Sequence, residues 1–145
     1  MFQNILIVCV GNVCRSPAAE ALLRHRLQGK GVSVSSAGIG ALVGNPMDKL
    51  AHEVLQEHGL THTSHCARQV DSDLLHQADL ILAMEQSHIQ HLRQIAPQVH
   101  GKTFLIGKWL DDMEIPDPFR QSKPAFDHVH SLLTQAVESW LPYLE

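Results

Sequence analysis

Aromatic side chains make up only 5% of this chain of 145 residues, with a single tyrosine, and charged residues only 18%. Neither scarcity prevents folding: 44% of the residues are hydrophobic, enough for one continuous core, and the length reads as one domain. Base is not in excess. Eleven Lys and Arg stand against 15 Asp and Glu, a formal net charge of −4, which speaks against a nucleic-acid surface. The apolar run Ile5-Leu6-Ile7-Val8 is far too short to cross a bilayer and follows no basic stretch. Neither membrane insertion nor a secretory signal is therefore expected. The three cysteines lack disulfide-scaffold spacing, which points to a reducing compartment and a cytoplasmic protein. No internal repeat, linker or low-complexity stretch is visible.

What the chain does contain is an alternation of strand and helix patterns. Ile5–Val8 reads as a strand buried on both faces, and Val32–Ala37 as a second. Asp79–Met84 and Lys102–Ile106 supply the third and fourth. Helices are expected over Ala18–Leu27 after a Ser16-Pro17 start, over Asp48–His58 before Gly59, over Asp71–Gln77, and over Ser87–Ile95 before Pro97. From Ser122 to Leu141 the apolar residues recur at helical spacing in one long amphipathic run. Gly38–Pro46 is glycine-rich yet apolar, and Leu110–Pro118 carries four acids and two prolines and should be irregular. Four strands alternating with helices predict a parallel α/β sheet with right-handed crossovers. In such sheets ligands bind beyond the carboxyl ends of the strands.

At one such end stands Cys9-Val10-Gly11-Asn12-Val13-Cys14-Arg15-Ser16-Pro17. A short loop between strand and helix turns backbone N–H groups inward and, with the helix dipole, makes an anion cradle. Val10, Gly11, Asn12, Val13, Cys14 and Ser16 would form it, and the Arg15 guanidinium can grip two phosphate oxygens at once. A thiol on its floor, Cys9, would be held as thiolate. C-x5-R alone is a weak pattern; between strand and helix, with Gly-Asn and Ser-Pro, it is a strong one. The plain alternatives are a packed core thiol for Cys9 and a surface ion pair for Arg15. Ser16 can cap the helix, donate to the Cys9 sulfur, or both, and Asn12 suits a left-handed loop position.

Breaking a phosphate ester also needs a proton for the leaving oxygen. Asp111, Asp112, Glu114 and Asp117 lie after the fourth strand, and Asp117, between Pro116 and Pro118, has the stiffest backbone. An ordinary turn aspartate is the competing reading. The eleven histidines raise the question of a metal, with His62-Thr63-Ser64-His65-Cys66 as their densest cluster. No C-x-x-C or H-E-x-x-H spacing is present, so no metal site is expected.

Cys9–Pro17 with the distant Asp117-Pro118 resembles the low-molecular-weight protein tyrosine phosphatases. The similarity runs over essentially the whole chain, with Ser36-Ala37-Gly38 after the second strand. It is nearest to the bacterial enzymes that act on the tyrosine autokinases of capsule and exopolysaccharide export. Gly40-Ala41-Leu42-Val43-Gly44, Cys66-Ala67-Arg68-Gln69, Met84-Glu85 with His88-Ile89, and Ile115–Arg120 carry that closer likeness. The resemblance implies a four-stranded parallel sheet flanked by helices on both faces. It makes Cys9 the nucleophile, Arg15 the phosphoryl clamp and Asp117 the general acid, with Asn12 and Ser16 supporting the loop and no cofactor. It also implies a phosphotyrosine protein as partner, the tyrosine-rich tail of a membrane autokinase, gripped by Leu42, Val43 and Phe119.

Two departures stand out: eukaryotic members have a large aromatic where Leu42 stands, and a tyrosine pair where Phe119-Arg120 stands. Arsenate reductases share this kind of cradle but need a further cysteine pair, which is missing. Protein-arginine phosphatases carry threonine where this chain has Val13. A non-catalytic phosphotyrosine-binding module would be expected to have lost Cys9, Arg15 or Asp117, and all three are present. Cys14, in the same loop as Cys9, could trap a Cys9 sulfenic acid as a reversible disulfide, or merely pack beneath the loop.

Overall fold

The computed structural model describes residues 2–144. Its centre is β1 (Asn4–Cys9), whose residues Ile5–Cys9 are all buried. Parallel ladders join it to β2 (Ser33–Gly38) on one side and β3 (Leu80–Ala83) on the other, and β4 (Thr103–Leu105) pairs with β3. The order β2-β1-β3-β4 makes β1 the strand at which the winding reverses direction, and ligand crevices open at such a switch point.

Side-chain alternation along β1 feeds two cores. Ile5 and Ile7 pack with Leu80 and Leu82 under α1 (Arg15–Arg26), α2 (Lys49–Glu57) and α5 (Lys123–Leu144). Leu6 and Val8 pack with Ile81 under α3 (Ser72–Gln77) and α4 (Gln86–Ile95). Helices thus flank a four-stranded parallel sheet on both faces, as the alternation of patterns predicts. Asp48 caps α2 by accepting from Leu50 N and Ala51 N, and Asp71 caps α3 by accepting from Leu74 N.

Three local expectations need revision. A 3-10 turn, Pro97–Lys102, fills the span between α4 and β4, where the Pro97 break hid it. The last helix runs to Leu144 with Pro142 inside its final turn, so the apolar spacing up to Leu141 understates it. Ser16 does not cap α1. Cys14 holds the cap position without a side-chain bond, because the Ser16 hydroxyl is engaged with Asn12 and Cys9.

Two anchors bring the irregular segment after β4 back to the end of β1. Trp140 Nε1 on α5 donates to Ile106 O at 2.9 Å, and Ile115 N donates to Met84 O at 3.0 Å. Asp111 and Asp112 (φ 55° and 56°) and Arg120 (φ 66°) supply left-handed turns in this segment.

Candidate active site

The loop after β1 is tied down through its carbonyls. Cys9 O accepts from Ile39 N, Val10 O from Gly40 N, Gly11 O from Leu42 N and Val13 O from Asp48 N, at 2.8–3.0 Å. Asn12 O accepts from His65 Nε2 at 2.6 Å. Among the described residues, none accepts from the backbone N–H of Gly11, Asn12, Val13 or Cys14. Carbonyls bonded outward and N–H groups left inward form a nest for an anion. The close approach depends on Gly38, where a Cβ would lie 2.3 Å from Val10 O.

Buried side chains hold this shape. Asn12 takes the left-handed conformation (φ 59°) and is fully buried. Its Nδ2 donates to Ser16 Oγ (2.8 Å) and Ser36 Oγ (3.0 Å), and its Oδ1 accepts from Arg68 N (3.0 Å). Ser16 Oγ in turn lies 2.9 Å from Cys9 Sγ, so the Asn12 amide orients the hydroxyl that contacts the thiol.

One small cavity, about 140 Å³, collects the chemistry: Cys9, Val10, Gly11, Val13, Cys14 and Arg15 from the loop and α1, Gly40 and Leu42 from the segment after β2, and Asp117 and Phe119 from the segment after β4. Arg15 is only 2% exposed and is held chiefly through one guanidinium nitrogen. Its Nη1 donates to Glu85 Oε2 (2.6 Å) and Ile115 O (2.8 Å), and its Nη2 lies 3.6 Å from Asp117 Oδ2. The pair with Glu85 is part-buried, where charge-assisted bonds position a guanidinium more firmly than in water. His88, buried behind it, lies 3.5 Å from Glu85 Oε2, and its Nδ1 has no hydrogen-bond partner. Burial, then the Arg15 charge, depress its proton affinity, so this imidazole stays neutral at pH 7.

Of the four acids considered, Asp117 alone lines the cavity; Glu114 instead accepts from Gln86 N at the start of α4. Asp117 Oδ1 accepts from Phe119 N, which fixes its carboxylate over the mouth. Leu42 and Phe119 line the cavity and Val43 does not, being 68% exposed beside it. Cys14 is buried, and burial, reinforced by Asp48, Asp117 and Cys9, pushes its thiol pKa well up. Sequence reasoning missed Glu85, Ser36, His65 and Arg68 as supports. Glu85 was within reach of the same carboxyl-end argument that found Asp117, since it follows β3.

A thiol, a guanidinium and a carboxylate around an anion nest at the switch point of a parallel sheet make an oxyanion-binding α/β protein. The chain belongs to the low molecular weight phosphotyrosine protein phosphatase family, whose sequence model matches residues 4–145. It is 49% identical over 140 residues to the low molecular weight protein-tyrosine-phosphatase Wzb of Salmonella typhimurium, covering 97% of this chain and 93% of that one. The crystal structure of the tyrosine phosphatase Wzb from Escherichia coli K30 in complex with sulphate superposes with a TM-score of 0.95 at 46% identity over 100% of both chains. The YwlE arginine phosphatase from Geobacillus stearothermophilus superposes at 0.91, with 31% identity, over 98% of this chain and 92% of that one.

Proposed function

We propose that this protein hydrolyses phosphotyrosine in proteins through a phosphocysteine formed on Cys9. The observation that carries the reading is a buried thiol on the floor of a nest whose carbonyls all bond outward. In the first step the Cys9 thiolate attacks phosphorus in line, an S–P bond forms, and the P–O bond to the phenol breaks. The Asp117 carboxyl gives its proton to the departing phenolate oxygen. In the second step water loses a proton to the Asp117 carboxylate and attacks the phosphocysteine, releasing phosphate and restoring the thiolate. Loop N–H groups and Arg15 meet the charge on the equatorial oxygens, the part that a metal takes in other phosphoryl-transfer sites. This scheme needs no cofactor.

A concavity of about 140 Å³ is smaller than the roughly 300–1,000 Å³ of sites that enclose whole small molecules. It suits one phosphorylated side chain, with the rest of a flexible substrate lying outside on Leu42, Val43 and Phe119. The resemblance to the bacterial enzymes of capsule and exopolysaccharide export extends this reading to the tyrosine-rich tail of a membrane tyrosine autokinase as the partner. No helix among the described residues is long and apolar enough to cross a membrane. The cytoplasmic location in this reading rests on the three cysteines without disulfide-scaffold spacing.

The likeness to an arginine phosphatase favours one rival, and Val13, which lines the cavity, separates the two. Valine offers a branched apolar surface for the edge of a phenol ring. Threonine adds a hydroxyl able to contact a guanidinium, worth about 0.5–1.5 kcal/mol, or roughly 2–13-fold. With no metal added, native protein is expected to cleave phosphotyrosine peptides faster than phosphoarginine peptides, and Val13→Thr to narrow the gap by about that factor. Faster cleavage of phosphoarginine by native protein would overturn the substrate assignment. Binding of phosphotyrosine without turnover would indicate a recognition module instead.

A further inference from the structure

Of the six arginines in the chain, five have an acceptor within it. Arg15, Arg24 and Arg26 pair with Glu85, Glu20 and Glu138, Arg68 donates to Ser36 O, and Arg93 donates to His100 Nε2. Arg120 is the exception. Among the described residues its guanidinium has no hydrogen bond or ion pair, and its central carbon lies 5.3 Å from the centre of the Phe119 ring. A planar fork of five N–H donors, matched in shape to carboxylate and phosphate oxygens, is thus left open.

Phe119 lines the cavity, so this charge stands one aromatic ring away from the site. The Arg120 backbone is left-handed (φ 66°), a conformation that glycine or asparagine adopts at lower cost. The turn around it is pinned. Phe119 N donates to Asp117 Oδ1 at 3.0 Å, Gln121 N to Pro118 O at 2.9 Å, and Gln121 Nε2 to Asp117 O at 2.8 Å. A cation kept at a strained position beside the cavity points to a binding role. Its surroundings make it stand out further. Residues 110–120 hold four acids and Arg120 as their one base, and residues 38–46, the other wall segment, hold no charge.

We propose that Arg120 is a specificity-determining residue that reads an anionic side chain, carboxylate or phosphate, one or two residues from the phosphotyrosine. The proposal rests on the phosphatase reading above and narrows its substrate class. An extended peptide advances about 3.3 Å per residue, so the 5.3 Å between ring and guanidinium corresponds to one or two residues of flank. Phe119 then has two tasks, with its ring lining the cavity for the phenol and backing the guanidinium. The contact lies outside the nest and is the same before and during phosphoryl transfer, so it acts on KM and not on kcat. An exposed pair of this kind is worth about 1.4–5-fold, which makes a preference and not a requirement.

The test compares kcat and KM for phosphotyrosine peptides of one sequence whose flanking residues are alanine, glutamate, lysine or phosphoserine. A net charge of −4 by itself favours lysine flanks. Native protein is expected to reverse that order, taking glutamate over alanine by about 1.4–5-fold in KM and lysine last. The preference should fade in 1 M sodium chloride, where charges are screened beyond about 3 Å. Arg120→Ala should erase it, and Arg120→Glu should turn it towards lysine. Each variant is read as a ratio between its own peptides, so a loss of folded protein cannot imitate the result. A phosphoserine flank preferred over glutamate assigns the contact to a neighbouring phosphate, and the reverse assigns it to a carboxylate. Equal KM for glutamate and lysine flanks, or a glutamate preference that Arg120→Glu retains, overturns the proposal and leaves phosphotyrosine hydrolysis standing. Failure to cleave any of the peptides overturns both.

Discussion

The floor and the wall of the cavity are built on opposite physical terms. On the floor, Cys9, Asn12, Arg15 and Ser16 are at most 2% exposed, and each has a partner given by the fold. On the wall, Leu42 is 40% exposed and the Asp117 side chain 48%, with Val43, 68% exposed, beside the cavity rather than in it. Buried polar groups that are fully bonded hold one geometry, because any departure leaves a donor or acceptor unpaired. Exposed apolar groups carry no such constraint. On the proposed function the difference divides the tasks: the floor would fix where a phosphoryl group sits, and the wall would select what it is attached to, open to change without disturbing the chemistry.

The sharpest way to break this contrast is at the floor. Cys9→Ser is expected to abolish turnover while phosphate or vanadate still binds, because the nest is mostly backbone. Residual activity at a tenth of the native rate would remove Cys9 from its role. Asp117 bridges the two regions, being exposed yet 3.6 Å from Arg15. Asp117→Asn is expected to lower kcat by about two to four orders of magnitude, the usual worth of a positioned proton donor. The loss should shrink with nitrophenyl phosphate, whose leaving group needs little protonation; equal losses for all leaving groups would make Asp117 a structural residue.

Cys14 tests whether burial also governs redox chemistry on the floor. Its thiol is pushed well above the ordinary range, chiefly by burial, so at neutral pH almost none of it is the thiolate that captures a sulfenic acid. Since a raised pKa leaves the thiolate fraction climbing with pH, Cys9–Cys14 disulfide formation after one equivalent of peroxide should speed up about tenfold between pH 7 and pH 8. The check is mass spectrometry of quenched samples. A pH-independent rate, or thiol-recoverable activity that is the same in Cys14→Ser, would leave Cys14 a packing residue. The smallest effect belongs to the wall. Leu42→Asp is expected to raise KM for phosphotyrosine peptides by roughly 3–10-fold, in line with losing one partly buried apolar side chain, and to change inhibition by inorganic phosphate less. Equal changes in both would move Leu42 from the wall into the floor.

Much of this was readable along the chain. The four strands and five helices announced themselves through apolar spacing, Asp48 and Gly59 marked the ends of α2, and Cys9 to Pro17 carried the nest in nine consecutive residues. Local signals sufficed there because a strand, a loop and a helix N-terminus are each formed by neighbours in sequence. The resemblance of this stretch and of Asp117-Pro118 to a known family was readable for the same reason.

What the tertiary structure alone decided was which distant groups meet. Of the four acids after β4, the proline flanks and the family resemblance singled out Asp117, but not how it reaches the loop after β1. Only the anchors from Ile115 to Met84 and from Trp140 to Ile106 bring Asp117 over the cavity, while Glu114 turns to Gln86. The pairing of Arg15 with Glu85, the hold of His65 on Asn12, and the meeting of Glu20 with two histidines span 70, 53 and more than 40 residues. Contacts at such separation leave no periodicity in the chain. They arise when parallel strands align their carboxyl ends and carry loops remote in sequence to the same edge of the sheet.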